Sequence, residues 1–205
     1  MSGSLYIVSA PSGAGKTSLV NKLIQLDSHI VVSVSSTTRP IRPGEEDGIN
    51  YHFLDTQAFE QKIAAGDFLE HAKVFDHFYG TSKSAVEAQL VKGKDVILEI
   101  DWQGAQQVRS IMPEAISIFI LPPSLTELQR RLNGRGTDSD EVIARRMAEA
   151  QSEMSHYHEF DYLVINNAFN VALEELHSIF CANRLTQTNQ LKKHPCLIQS
   201  MIESR

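Results

Sequence analysis

Ala10-Pro11-Ser12-Gly13-Ala14-Gly15-Lys16-Thr17 follows the apolar run Leu5-Tyr6-Ile7-Val8 and precedes the amphipathic run Leu19-Val20-Asn21-Lys22-Leu23-Ile24. A buried strand, a tight turn and a helix opening near Thr17 are the setting of a phosphate-binding loop, or P-loop. Gly13 and Gly15 let backbone amides turn inward at phosphate oxygens, and the helix N-terminus adds positive partial charge. In that arrangement Lys16 reaches the β- and γ-phosphates and the Thr17 hydroxyl ligates Mg²⁺. The pattern G-x-x-x-x-G-K-[ST] departs only at its first position, where Ala10 stands in place of Gly. A small side chain there still permits the turn. Residues 10–17 are therefore expected to bind a nucleoside triphosphate.

With 205 residues the chain suits one α/β domain with small insertions. A net charge of −6 argues against general nucleic-acid binding, which calls for a basic domain. Positive charge is instead placed locally, at Arg39 and Arg42, at Arg130, Arg131 and Arg135, and at Arg145 and Arg146. Cys181 and Cys196 show no metal-ligand spacing and read as free thiols of a reducing compartment. The eight histidines, His156 and His158 among them, show no spacing that demands a metal. No apolar run approaches a membrane span, and no basic segment followed by a long apolar stretch opens the chain. The expectation is a soluble, cytoplasmic protein.

Strand-like apolar runs recur at Leu5–Ser9, Val31–Val34, Val96–Ile100, Ile116–Leu121 and Tyr162–Ile165. Most are continuous, as in strands covered on both faces. Helical patterns lie between several of them, for example Gly104–Ile111. A last helix, from about Val171 to Leu185, sets Leu173, Leu176, Ile179 and Phe180 on one side. This predicts a parallel sheet flanked by helices, with its site at the carboxyl ends of the strands.

Two polar segments interrupt the alternation. Residues from about 35 to 90 carry turn residues, short strands and a helix around Ala58–Ala65. Residues from about 122 to 160 are helical and charged, with a capping box at Ser124–Glu127 and a second helix start at Asp138–Glu141. Asn133-Gly134-Arg135-Gly136 between them reads as a mobile tip. Thr186–Arg205 reads as a solvated extension.

P-loops serve hydrolases, switches and kinases alike, so the acceptor must be sought elsewhere. Arg39 and Arg42 lie beside hydroxyls and the turn residues Pro40, Pro43 and Gly44, and with Tyr51 and Tyr79 they suit a phosphate dianion. Here five stretches together resemble the guanylate kinases of bacterial type. They are SAPSGAGKTSL (9–19), SVSSTTRPIRPGEEDGINY (33–51), FLEHAKVF with FYGTS (68–75, 78–82), ILEIDWQGAQQV (97–108) and FILPPS with LQRRLNGRGTDS (119–124, 128–139).

The resemblance implies a P-loop core (about 1–34, 91–121 and 161–205), a GMP-binding insertion (about 35–90) and a helical lid (about 122–160). It implies ATP-dependent conversion of GMP to GDP with Mg²⁺; dGMP as a second acceptor and the oligomeric state stay open. It assigns the GMP phosphate to Arg39, Arg42, Tyr51 and Tyr79, and guanine to Ser35, Glu70, Thr81 and Asp101. Guanine's N1–H and N2–H₂ donors match a carboxylate and its O6 matches a hydroxyl, whereas adenine offers an acceptor at N1. Arg131, Arg135 and Arg146 fall at lid positions that reach the ATP phosphates or adenine, and Asn166 falls near adenine. Glu99 ends a buried strand near the loop, where an acid suits Mg²⁺ directly or through water. The family usually has Asp at that position.

The implied nucleophile is a GMP phosphate oxygen, already ionised near neutral pH, so no general base is required. Positioning and charge neutralisation by Lys16, Arg39, Arg131, Arg135 and Arg146 then carry an in-line transfer. Other P-loop small-molecule kinases and silent guanylate-kinase-like binding modules share parts of the pattern. The first lack the Ser35, Glu70 and Asp101 set, and the second typically lack a working loop. A GTPase would need an N-K-x-D segment, which is absent.

Overall fold

The computed structural model describes residues 3–74, 76–133 and 140–203. β1 (Leu5–Ser9) is buried at every position, as its unbroken apolar run requires of a strand covered on both faces. It sits in the middle of a parallel sheet ordered β2 (Ile30–Val32), β7 (Asp95–Glu99), β1, β8 (Ile116–Leu121), β9 (Tyr162–Ile165). Side chains alternate across β1. Tyr6 and Val8 pack with Leu19, Val20 and Leu23 of α1 (Lys16–Leu26) and with Leu173, Leu176 and Phe180 of α7 (Phe169–Arg184). The Tyr6 ring stacks on Phe180 at 3.8 Å. Leu5 and Ile7 face the other way, onto Val86 and Leu90 of α3 (Lys83–Val91) and Ala105 and Val108 of α4 (Trp102–Ile111).

A second sheet is ordered β4 (His52–Phe53), β3 (Ser36–Thr37), β6 (His77–Ser82), β5 (Phe68–Val74). β6 runs antiparallel to both of its neighbours, which sets Glu70 opposite Thr81 and Thr37 opposite Tyr79. α2 (Thr56–Ala64), capped by Asp55 through the Ala58 amide at 2.7 Å, covers it. Phe59 of α2 stacks on Phe68 at 4.5 Å and Phe78 at 5.4 Å. All these strands fall inside the 35–90 segment.

In the other segment, α5 (Leu125–Asn133) and α6 (Asp140–Met154) share a small core of Leu128, Leu132 and Ala150. The expected cap is present, with the Ser124 hydroxyl accepting from the Glu127 amide at 3.1 Å. The turn at residues 134–136, and residues 138 and 139 of the second helix start, lie outside the described residues.

Two readings differ in detail. β2 spans Ile30–Val32 rather than Val31–Val34, because the chain must cross to Ser36 of the second sheet. The tail is helical, as α8 (Gln187–Lys193) and α9 (Pro195–Glu203). The Asn189 side chain donates through Nδ2 to Asn183 O at 2.7 Å and the Gln190 side chain through Nε2 to Arg184 O at 2.8 Å, satisfying carbonyls at the end of α7. Leu197, Met201 and Ile202 remain exposed. Among the described residues no helix is long and apolar enough to cross a membrane, and Cys181 and Cys196 are free thiols.

Candidate active site

The loop leaves β1 at its carboxyl end. Gly13 and Gly15 adopt φ of 89° and 97°, the left-handed region where other residues are strained. A Cβ on Gly15 would lie 2.4 Å from the Asn166 amide nitrogen. Buried beneath the loop, Asn166 donates to Ala14 O at 2.7 Å. Arg131 of α5 sends one nitrogen to Ala14 O (3.3 Å) and another to Asn166 O (2.9 Å), with Glu127 holding its Nε at 2.8 Å. The loop is thereby pinned from below.

Above it opens a cavity of about 380 Å³ lined by residues 10–13, 15–18, Ile100, Asp101 and Glu153. Burial lowers the Lys16 pKa, while Glu99, Asp101 and Glu153 pull it back up. The Thr17 hydroxyl faces Glu99 Oε2 at 3.5 Å. Glu153, from the last turn of α6, accepts a hydrogen bond from the Ser12 amide at 3.3 Å.

Beside this cavity the second sheet assembles a polar cluster. Pairing of β5 with β6 lets the Thr81 hydroxyl donate to Glu70 Oε1 at 2.6 Å, and Ser35 Oγ lies 3.5 Å from Thr81 Oγ1. Glu70 is only 7% exposed. Burial raises its pKa, the Thr81 hydroxyl lowers it and Asp101 raises it again. Asp101 caps α4 through the Gly104 amide at 2.8 Å. A Cβ on Gly104 would stand 3.3 Å from Glu70 Oε2 and 3.4 Å from Asp101 Oδ1, so glycine lets the two carboxylates share the head of α4.

Arg39 is buried, its guanidinium 5.5 Å from the Tyr51 ring centre and 5.7 Å from that of Phe53. Tyr51 and Tyr79 meet edge to face at 6.0 Å. The Arg39 fork is held by both oxygens of Glu45, at 3.0 and 2.7 Å. Glu45 also accepts from the Arg42 amide at 2.9 Å, and the Arg42 side chain is exposed.

The guanylate kinase family model matches residues 2–183. The chain belongs to the guanylate kinase family. It is 66% identical over 203 residues to a guanylate kinase of Hydrogenovibrio crunogenus, covering 99% of both chains. It is 59% identical to one of Hahella chejuensis, covering 99% of this chain and 98% of the relative. The crystal structure of guanylate kinase from Anaplasma phagocytophilum superposes with a TM-score of 0.73 at 34% identity, over 91% of this chain and 88% of that one. The reaction of the guanylate kinase family is the ATP-dependent phosphorylation of GMP to GDP, and this chain is an enzyme of that kind.

Within this guanylate kinase fold, Ser35, Glu70, Thr81 and Asp101 come together, as do Arg39, Tyr51 and Tyr79. Arg131 and Asn166 both donate to the Ala14 carbonyl of the loop. Arg146 is half-buried on α6, and Arg135 lies outside the described residues. Sequence reasoning missed Glu45, Gly104 and Glu153. Glu45 carried a signal, since it closes the Pro43-Gly44 turn three residues after Arg42. Glu153 carried none, being one acid of a charged helix.

Proposed function

We propose that the cavity above residues 10–17 takes the phosphates of ATP and that the second sheet takes GMP. Ser35, Glu70, Thr81 and Asp101 read guanine, and Arg39, Arg42, Tyr51 and Tyr79 hold its phosphate. One observation carries this reading. Asp101 lines the loop cavity and also stands beside Glu70 at the head of α4. The two sites share a wall, as transfer between two bound nucleotides requires.

Glu70 accepts guanine's paired donors in a pocket that already satisfies one oxygen through Thr81. The Arg39 fork, pre-aimed by Glu45, passes to the phosphate dianion, for which a guanidinium is geometrically matched. Lys16 neutralises charge on the transferred group, and Arg131, Arg135 and Arg146 serve from the 122–160 lid. Residues 1–34, 91–121 and 161–205 form the core that holds loop and insertion in register.

Mg²⁺ suits the donor set: a Thr17 hydroxyl facing a Glu99 carboxylate is a hard-oxygen pair, and this ion keeps most of its shell for phosphates and water. When bound, it neutralises the β- and γ-oxygens. Two free thiols favour a reducing compartment, the cytoplasm.

The test is Lys16→Met. Folding, read by circular dichroism and melting, should be retained, and phosphoryl transfer from ATP to GMP should fall by about 10² or more. Near-normal turnover would overturn the assignment of residues 10–17.

A further inference from the structure

A phosphate-binding loop is an unexpected place for a carboxylate. Glu153 nevertheless lines the loop cavity with Gly13, Gly15 and Lys16, and takes the Ser12 amide at 3.3 Å. That amide belongs to the set a triphosphate must use. Burial raises the Glu153 pKa; the Ser12 amide and Lys16 lower it, while Asp101 and Glu149 raise it. The carboxylate thus stands half-buried beside Lys16 and on the Ser12 amide, two groups that an incoming phosphate would engage.

Its position on the chain gives this consequence. Glu153 is at the last turn of α6, whose packing partner α5 shares the Leu128, Leu132 and Ala150 core. Three residues on, His156 stacks flat on Trp102 of α4, with ring centres 3.5 Å apart, and bonds Glu159 at 2.6 Å. One side of this short stretch is anchored to the core and the other holds the loop. Glu153 is thus a polar tie between this helix pair and the loop, as is Arg131 of α5.

We propose that Glu153 is the loop's internal counter-anion, a positioning residue that occupies a donor-phosphate amide in the empty enzyme and is displaced when nucleotide binds. Nucleotide binding then exchanges this carboxylate for a phosphate oxygen at the Ser12 amide. This rests on the reading that residues 10–17 bind the donor phosphates.

ADP affinity measured by calorimetry tests it, with Glu153→Ala, Glu153→Asp and Glu149→Gln beside wild type. Asp keeps the charge but is one methylene too short to reach Ser12. If Glu153 holds the loop in about nine of ten empty molecules, its removal should tighten ADP binding about tenfold. Both Glu153 variants should show that gain, and the Ser12 and Gly13 amides of the empty variants should exchange hydrogen faster. Glu149→Gln, which removes a charge from the same helix without touching the loop, should bind ADP as wild type does. A gain in Glu153→Ala alone would mean through-space repulsion and would overturn displacement, as would no gain in either. GMP-dependent turnover of the same wild-type preparation separates the two levels. Its absence would sink the nucleotide reading itself, whereas its presence with unchanged ADP affinities would sink only the role of Glu153.

Discussion

Glu70→Gln separates recognition of guanine from the rest of the site. The carboxylate is 7% exposed and one oxygen already accepts from Thr81 at 2.6 Å. In the variant the amide oxygen can keep that bond, which leaves an N–H group where the second acceptor was. That group would point at a guanine N–H, donor against donor. Leaving buried polar groups unmatched costs roughly 1–3 kcal/mol, so kcat/KM for GMP should fall roughly 5- to 150-fold. Adenine N1 can accept from the new amide, so the AMP rate should hold or rise and the GMP-over-AMP ratio should narrow.

Stability should move the other way. Burial raises the Glu70 pKa, so its ionised form costs the empty fold at neutral pH, and the neutral amide removes that cost. The melting temperature should be no lower than wild type, which shows that lost activity is not lost folding. The wild-type KM for GMP should also climb on acidification at a pH above that of an exposed glutamate, because protonation removes the acceptor. The variant should keep only the climb caused by protonation of the GMP phosphate at about pH 6, so the ratio of wild-type to variant KM reports Glu70. Coupled assays with both acceptors from pH 5 to 8 read the three kinetic effects, and a thermal melt reads the fourth. An unchanged GMP/AMP ratio would refute the role given to Glu70.

Arg184→Met should destabilise the protein by about 3–5 kcal/mol, measured by urea unfolding, because it leaves Asp27 and Asp95 buried without the guanidinium that bonds them at 2.6 and 2.7 Å. Burial opposes ionisation of Asp27, but Arg184, the His29 amide and His177 outweigh it and hold its carboxyl well below the usual range. A depressed folded pKa gives stability that is present above the unfolded value and lost as pH falls through the folded one. Wild type should therefore lose melting temperature steeply below about pH 4, and Arg184→Met should show a shallower dependence; parallel curves would contradict this ion pair.

Much of the core was legible because local chemistry and packing agree there. The β1 run, the two positive-φ glycines and Lys16-Thr17 state a strand, a turn and a helix within thirteen residues. The acceptor side was legible only through the family resemblance, since Ser35, Glu70 and Thr81 meet through strand pairing that no single segment encodes. Asn166 and Arg131, which the resemblance puts near ATP, both bond to the Ala14 carbonyl of the loop, a contact that no local pattern announces. The helical tail was hidden by its polarity, and Glu153 by the number of acids around it on a solvated helix.

Phosphoryl transfer between two nucleotides is tested most directly by ADP release from ATP with GMP, dGMP, AMP and UMP offered separately as acceptors. GMP should drive ADP release at the highest rate, and AMP and UMP should give rates lower by orders of magnitude, with GDP formed one for one with ADP. ADP release independent of any acceptor, or AMP used as readily as GMP, would contradict the guanine site built around Glu70 and the shared wall at Asp101.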